Sequence, residues 1–275
     1  MAMNPVQPVF FDTHAHLDYP EFAPDFAGVL SRSEAAGITR MISIGTSLES
    51  SRRAIGLAET YASIFAVAGW HPADVLGAPP DVRPALRELA GKRKVVALGE
   101  TGLDYYRLPS AQGGSAAEDA HYKERQAEMF RQHLEVAAET GLNCVIHQRA
   151  AFDDTLALLK PFAGKVRGVF HCFGESVSRL RQVLAIGSLV SYTGIVTFKN
   201  GQNIREAVAA TPLNQFMLET DCPYLAPAPH RGKRCEPAFV KEIAGTIAQT
   251  RHCSLAELSA ATRQTAEEFF PKLRG

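Results

Sequence analysis

Val9-Phe10-Phe11-Asp12-Thr13-His14-Ala15-His16-Leu17 is an apolar run that ends in two histidines two positions apart. In a strand, positions i and i+2 point to the same side. His14 and His16 therefore present two imidazoles together, as two ligands of one divalent metal require. His-x-His also arises by chance. The pair gains meaning from a series of similar strand ends further along, each delivering a ligand-type side chain.

Reading outward, further β-type runs occupy residues 38–45, 63–69, 94–99, 143–147, 167–171, 188–192 and 215–218. Helical stretches separate them at 26–36, 47–61, 81–90, 122–140, 153–161, 177–186 and 204–210, and two more helices follow a Pro-rich loop at 222–237. Residues 18–25 read as a loop. Residues 107–120, rich in Gly, Ser and Ala, read as a mobile insertion, with a lid as the alternative. The stretch from residue 153 starts with residues suited to capping its own helix. Eight strands spaced by helices imply parallel β/α units. No linker divides the 275 residues, so the expectation is one α/β domain over 1–275, a (β/α)8 TIM barrel with its working face at the C-terminal ends of the strands. A doubly wound open sheet is the competing fold.

On the barrel reading, His14 and His16 follow strand 1, Glu100 follows strand 4, His147 ends strand 5, His171 ends strand 6 and Asp221 follows strand 8. Four imidazoles and two carboxylates suit two divalent ions with a carboxylate between them. Each residue has an ordinary structural reading when taken singly. His147 or His171 could be a hydrogen-bonded core residue, Glu100 a cap on a backbone amide, Asp221 a cap on the turn before Pro223. Six such side chains where apolar strands run out on one face are harder to explain that way. Burying them unpaired would cost several kcal/mol for each ionised group, and a metal cluster removes that cost.

Composition sets the bounds. Hydrophobic residues make up 46% and charged residues 21%, as in an ordinary globular protein. Lys+Arg and Asp+Glu both number 29, which excludes a non-specific, whole-surface nucleic-acid binder but not a local basic patch. Five cysteines at irregular spacing, without C-x-x-C, fit reduced thiols. Residues 1–8 lack the basic start and apolar run of a secretory signal, and no apolar run reaches the roughly 18 residues of a membrane helix. The expectation is a cytoplasmic protein with no membrane contact, and a monomer.

The motifs as a set resemble the TatD family of metal-dependent deoxyribonucleases, within the amidohydrolase-like barrel superfamily. The matching stretches are Phe11 to Leu17, Gly69-Trp70-His71-Pro72, Gly99-Glu100-Thr101-Gly102-Leu103-Asp104-Tyr105-Tyr106, Val145-Ile146-His147 and His171-Cys172-Phe173, then Ser191 to Asn200, Leu218 to Pro227 and His230 to Arg234. They cover nearly the whole chain in the family's order. The resemblance implies that His14, His16 and Asp221 hold one ion, that Glu100 bridges, and that His147 and His171 hold the second. It implies that Asp221 takes the proton of the attacking water, and that the substrate is DNA, often cut 3′ to 5′ on single strands or at damaged ends. The chain departs from the family at His147-Gln148-Arg149-Ala150, where members usually carry a carboxylate at the fourth position. Cys222 and Cys235 stand where Ala and Asn are common, and the segment 109–120 looks longer than usual.

Four imidazoles favour Zn²⁺ or Mn²⁺ over Mg²⁺, which prefers oxygen, although the resemblance also implies Mg²⁺-supported activity. His71 is a candidate phosphate contact, or a loop histidine packed beside Trp70. Arg231, Lys233 and Arg234 are candidates to grip DNA phosphates. Glu219 shares the face of Asp221 and is a candidate partner of a ligand. Tyr105, Tyr106 and Phe173 are candidates to stack on bases. Cys172 and Cys222 border ligands, but catalytic cysteine chemistry is not expected. Two other functions compete: an amidohydrolase cleaving a small-molecule C–N bond in the same cage, and a metal-holding protein without catalysis. Glu100 in the bridging place and the basic loop favour phosphodiester hydrolysis.

Overall fold

A computed structural model describes residues 8–274. The reading of residues 1–7 as free of a secretory signal lies outside them. Eight strands form: β1 (Phe10–Ala15), β2 (Ile38–Ile44), β3 (Ile64–Ala68), β4 (Val95–Asp104), β5 (Asn143–Arg149), β6 (Gly168–Phe170), β7 (Leu189–Tyr192) and β8 (Phe216–Leu218). The long helices are α1 (Phe26–Ala35), α2 (Leu48–Thr60), α3 (Arg83–Ala90), α4 (Ala116–Thr140), α5 (Phe152–Leu159), α6 (Val177–Ala185), α7 (Gln202–Ala210), α8 (Val240–Arg251) and α9 (Leu255–Phe269). The strands lie side by side in chain order and every neighbouring pair is parallel. β8 returns to β1 through one bridge, Ala15 to Cys222, with Asp221 N donating to His14 O at 2.9 Å and His16 N to Cys222 O at 2.8 Å. This is the (β/α)8 barrel, and the sequential order excludes the doubly wound sheet, whose order reverses at a switch point.

Two apolar cores follow from the alternation of side chains along each strand. Ile42, Ile44, Phe65, Val67, Val145 and Met217 belong to the core enclosed by the strands, which Phe269, Phe270 and Leu273 join from the end of the chain. The larger core lies between strands and helices and holds Phe22, Met41, Phe130 and Tyr192. Among the described residues no helix is long and apolar enough to cross a membrane, and all five cysteines are free.

Three local readings change. The segment read as irregular to residue 120 is shorter, because α4 starts at Ala116. Ser115 and Glu118 cap it reciprocally, a Ser-x-x-Glu box that was visible in the sequence. Residues 18–25 contain a 3₁₀ helix, Pro20–Asp25. α5 is not capped by its own first residues. With the Gln148 amide oriented so that both its ends are satisfied, its side-chain oxygen accepts from Ala151 N at 3.1 Å and Phe152 N at 3.0 Å, and its nitrogen donates to Glu175 Oε1 at 3.2 Å.

Candidate metal centre

Two bulges aim the site. β1 pairs Asp12 with Met41 but Ala15 with Ser43, so an extra residue is accommodated across Thr13 and His14. β4 pairs Leu98 with Cys144 but Thr101 with Ile146, an extra residue across Gly99 and Glu100. A bulge re-aims a side chain at a barrel rim. Glycine makes the second one feasible: Gly99 has φ +131°, and a Cβ there would sit 2.4 Å from Val145 O. Glu100 therefore lies inside β4, not after it, and is buried at 2% exposure.

Six donors converge. His14 Nε2 stands 3.4 Å from Glu100 Oε2 and 3.7 Å from Asp221 Oδ1. His16 Nε2 stands 3.7 Å and 3.3 Å from the same two oxygens. Donors each about 2.1 Å from one ion lie about 3.4 Å apart in tetrahedral geometry and about 3.0 Å apart at adjacent octahedral corners. On the other side, Glu100 Oε1 lies 2.8 Å from both His147 Nδ1 and His171 Nε2, which are 3.2 Å from each other. His71 Nε2 joins this group, 3.2 Å from His147 Nδ1 and 3.5 Å from Glu100 Oε1.

The donor set fits a cation on two counts. His14 is fully buried, yet neither ring nitrogen has a hydrogen-bond partner, a state that native interiors avoid. The electrostatics also attract positive charge. Burial works to raise the Glu100 and Asp221 carboxyls, but the surrounding imidazoles outweigh it and keep both below their ordinary values. Burial works against a proton on His16, His147 and His171, yet the carboxylates facing them hold all three above the ordinary imidazole value. His71 goes the other way: burial pushes it down to about 3, so it is a neutral imidazole.

Partners brace these groups. His147 Nε2 faces Asp104 Oδ2 at 3.1 Å. Glu219 accepts from Cys172 N and from Ser191 Oγ, both at 2.6 Å, and its Oε1 lies 3.7 Å from His171 Nδ1. Asp12 accepts from Thr220 Oγ1 at 2.6 Å and Thr220 N at 2.9 Å, tying β1 to the segment after β8. Asp104 and Asp12 were passed over in the sequence. Asp104 ends a strand like the other members, a signal that could have found it. The role of Asp12 depends on a partner 208 residues away.

The donors open into a cavity of about 800 Å³, lined among others by His16, His71, Glu100, His147, His171 and Asp221. Its wall carries two cations that sequence reasoning did not select, Arg107 and Arg149. Arg231, Lys233 and Arg234 are absent from that wall. The Arg234 guanidinium is bound by both Asp25 oxygens at 2.7 and 2.9 Å, so it fastens the 222–237 loop to the Pro20–Asp25 turn. Arg231 lies over the Phe198 ring at 3.9 Å, and Lys233 is exposed. Phe173 is buried, and Tyr105 is half-buried under the Lys123 ammonium at 4.7 Å. Tyr106 is exposed.

A family model described as TatD related DNase matches residues 11–271. The chain belongs to this family. A metal-dependent hydrolase of Bacillus subtilis, YabD, is 35% identical over 263 residues, 95% of this chain and 99% of its own. A TatD of Klebsiella pneumoniae, named a 3′-5′ ssDNA/RNA exonuclease, is 34% identical over 94% of this chain and 97% of its own. The crystal structure of the TatD homolog YjjV from Escherichia coli superposes with a TM-score of 0.86 at 26% identity, covering 95% of this chain and 98% of that one. This TatD-family chain is a metal-dependent hydrolase, and its donor cage sits where the barrel's strands end.

Proposed function

We propose that this TatD-family hydrolase cleaves phosphodiester bonds of DNA, removing nucleotides from the 3′ end of single strands or damaged ends. One domain over 1–275 carries the whole reaction. The observation that carries the reading is the convergence of six donors, His14, His16, Glu100, His147, His171 and Asp221, with His14 buried and unpartnered among them. His14, His16 and Asp221 would hold one divalent ion, His147 and His171 a second, with Glu100 shared between them. Such ions acidify a bound water and draw charge from phosphate oxygens. The chain's own groups do the rest. Asp221, an anion at the cavity wall, accepts the proton of the attacking water. Asp104 fixes the ring of His147, and the Glu219 carboxylate faces Nδ1 of His171. Neutral His71 accepts from Ala73 N at Nδ1 (3.1 Å), so its proton sits on Nε2 and is offered toward a phosphate oxygen. The name of the Klebsiella relative supports nucleic acid as the substrate.

The experiment is a titration of chelator-treated protein with Zn²⁺, Mn²⁺ and Mg²⁺ against three substrates: a 5′-labelled single strand, an abasic duplex and a dihydropyrimidine amide. Metal-dependent shortening of the strand is expected, and Asp221→Asn should slow it on the order of 10²- to 10⁴-fold. Full activity after chelation, or turnover of the amide alone, would overturn the proposal.

A further inference from the structure

Among the described residues, only two aromatic side chains are more than half exposed: Tyr106 at 56% and Tyr224 at 52%. Leaving an aromatic ring in water forgoes the burial that its surface would otherwise gain. One ring lines the donor cavity and the other lies against a residue of its wall. Tyr106 follows β4 and Tyr224 follows β8, and in a barrel ordered β1 to β8 these strands are diametrically opposite. Tyr224 lines the cavity. It meets Tyr19 edge-on at 6.4 Å, and Tyr19 stacks on His16 at 4.7 Å, so a line of rings runs from the rim to the donor cage. Tyr106 flanks the cavity between Asp104 and Arg107, both in its wall. The Arg149 guanidinium, also in the wall, lies 3.6 Å over the Tyr106 ring. The backbone fixes both positions: Tyr106 N donates to Asp104 Oδ1 at 2.8 Å, and Tyr224 N to Asp221 O at 3.0 Å.

Flat rings that follow opposite strands of the barrel, one beside a guanidinium plane, match the chemistry of an unpaired nucleobase. A base in a duplex has both faces covered by its neighbours. An unpaired base offers its face to aromatic rings and Arg planes alike, whatever its identity. The geometry points to Tyr106 and Tyr224 as stacking platforms for unpaired bases on either side of the scissile phosphate. They make the site selective for single strands without making it selective for sequence. This assignment rests on the nucleic-acid reading of the cavity above.

The test compares binding of a labelled oligothymidylate with binding of an abasic oligomer of equal length, which keeps the phosphates and lacks the bases. Chelator-treated full-length protein is used, so that binding is read without turnover. Wild type should prefer the thymidylate. Tyr106→Ala and Tyr224→Ala should each weaken thymidylate binding roughly 5- to 150-fold. Abasic binding and the salt slope should stay unchanged, because the lost contact is uncharged. Tyr106→Phe and Tyr224→Phe, which keep the ring, should bind as wild type. The inference is overturned if the Ala variants bind thymidylate as tightly as wild type does, or if they lose abasic binding equally. If wild type prefers neither oligomer and cuts no DNA with any metal, the proposed function itself fails, and this inference with it.

Discussion

His133 offers a direct reading of how the fold treats a buried proton site next to the candidate centre. It lies in α4, fully buried, with Nδ1 2.7 Å from Met129 O. Its Nε2 accepts from Trp70 N at 3.1 Å, which requires a neutral ring with the proton on Nδ1. Burial pushes its pKa from 6.5 down to about 4, although the Met129 carbonyl works against the shift. The folded state therefore refuses a proton that the unfolded chain accepts near pH 6.5. The sign follows: the full contribution is present above pH 6.5 and is lost as pH falls toward 4. The loss is about 1.4 kcal/mol per pH unit, on the order of 3 kcal/mol in all.

His133→Gln keeps an acceptor and a donor and removes the titration. At pH 7.5 the variant should be less stable by about 1–3 kcal/mol, the cost of imperfect hydrogen bonds. That deficit should shrink by about 1.4 kcal/mol per pH unit between 6.5 and 4. Groups of the donor cage titrate in both proteins and cancel in the difference. Urea unfolding of metal-free protein at several pH values is the assay. Trp70, the single tryptophan of the chain, reports by fluorescence from the very residue that His133 holds. A stability difference that stays flat between pH 4 and 6.5 would refute the neutral, proton-excluding pocket.

Two further outcomes are expected. For single-stranded DNA, Arg107→Ala and Arg149→Ala should each flatten the dependence of log affinity on log salt by about 0.7, whereas Arg234→Ala should leave it unchanged because Asp25 already holds that guanidinium; anisotropy titrations over a range of salt decide between them. Gln148→Ala removes the acceptor at the start of α5 and should cost about 1 kcal/mol, read as a fall of roughly 2 °C in thermal midpoint.

The (β/α)8 arrangement was legible because its signals are local. Apolar runs such as 38–45 and 63–69 alternate with helical patterns, each short enough to read without knowing its neighbours. The ligand-type residues were legible for the same reason: each stands where an apolar run gives out in the sequence, although β1, β4 and β5 continue past His14, Glu100 and His147. The start of α4 was equally legible in Ser115-Ala116-Ala117-Glu118 but was hidden by the Gly- and Ala-rich composition around it.

By itself, then, the sequence determined the order of strands and helices and the chemical type of side chain at each strand end, since both follow from nearest-neighbour pattern and polarity. The tertiary structure decided the rest. The bulges at His14 and Glu100 exist only relative to partner strands. Asp12 meets Thr220, and Arg234 meets Asp25, across more than 200 residues. Arg149 rather than Arg231 or Lys233 reaches the cavity wall. Which charges are free and which are already paired depends on where barrel closure brings distant segments together, and no local pattern encodes that.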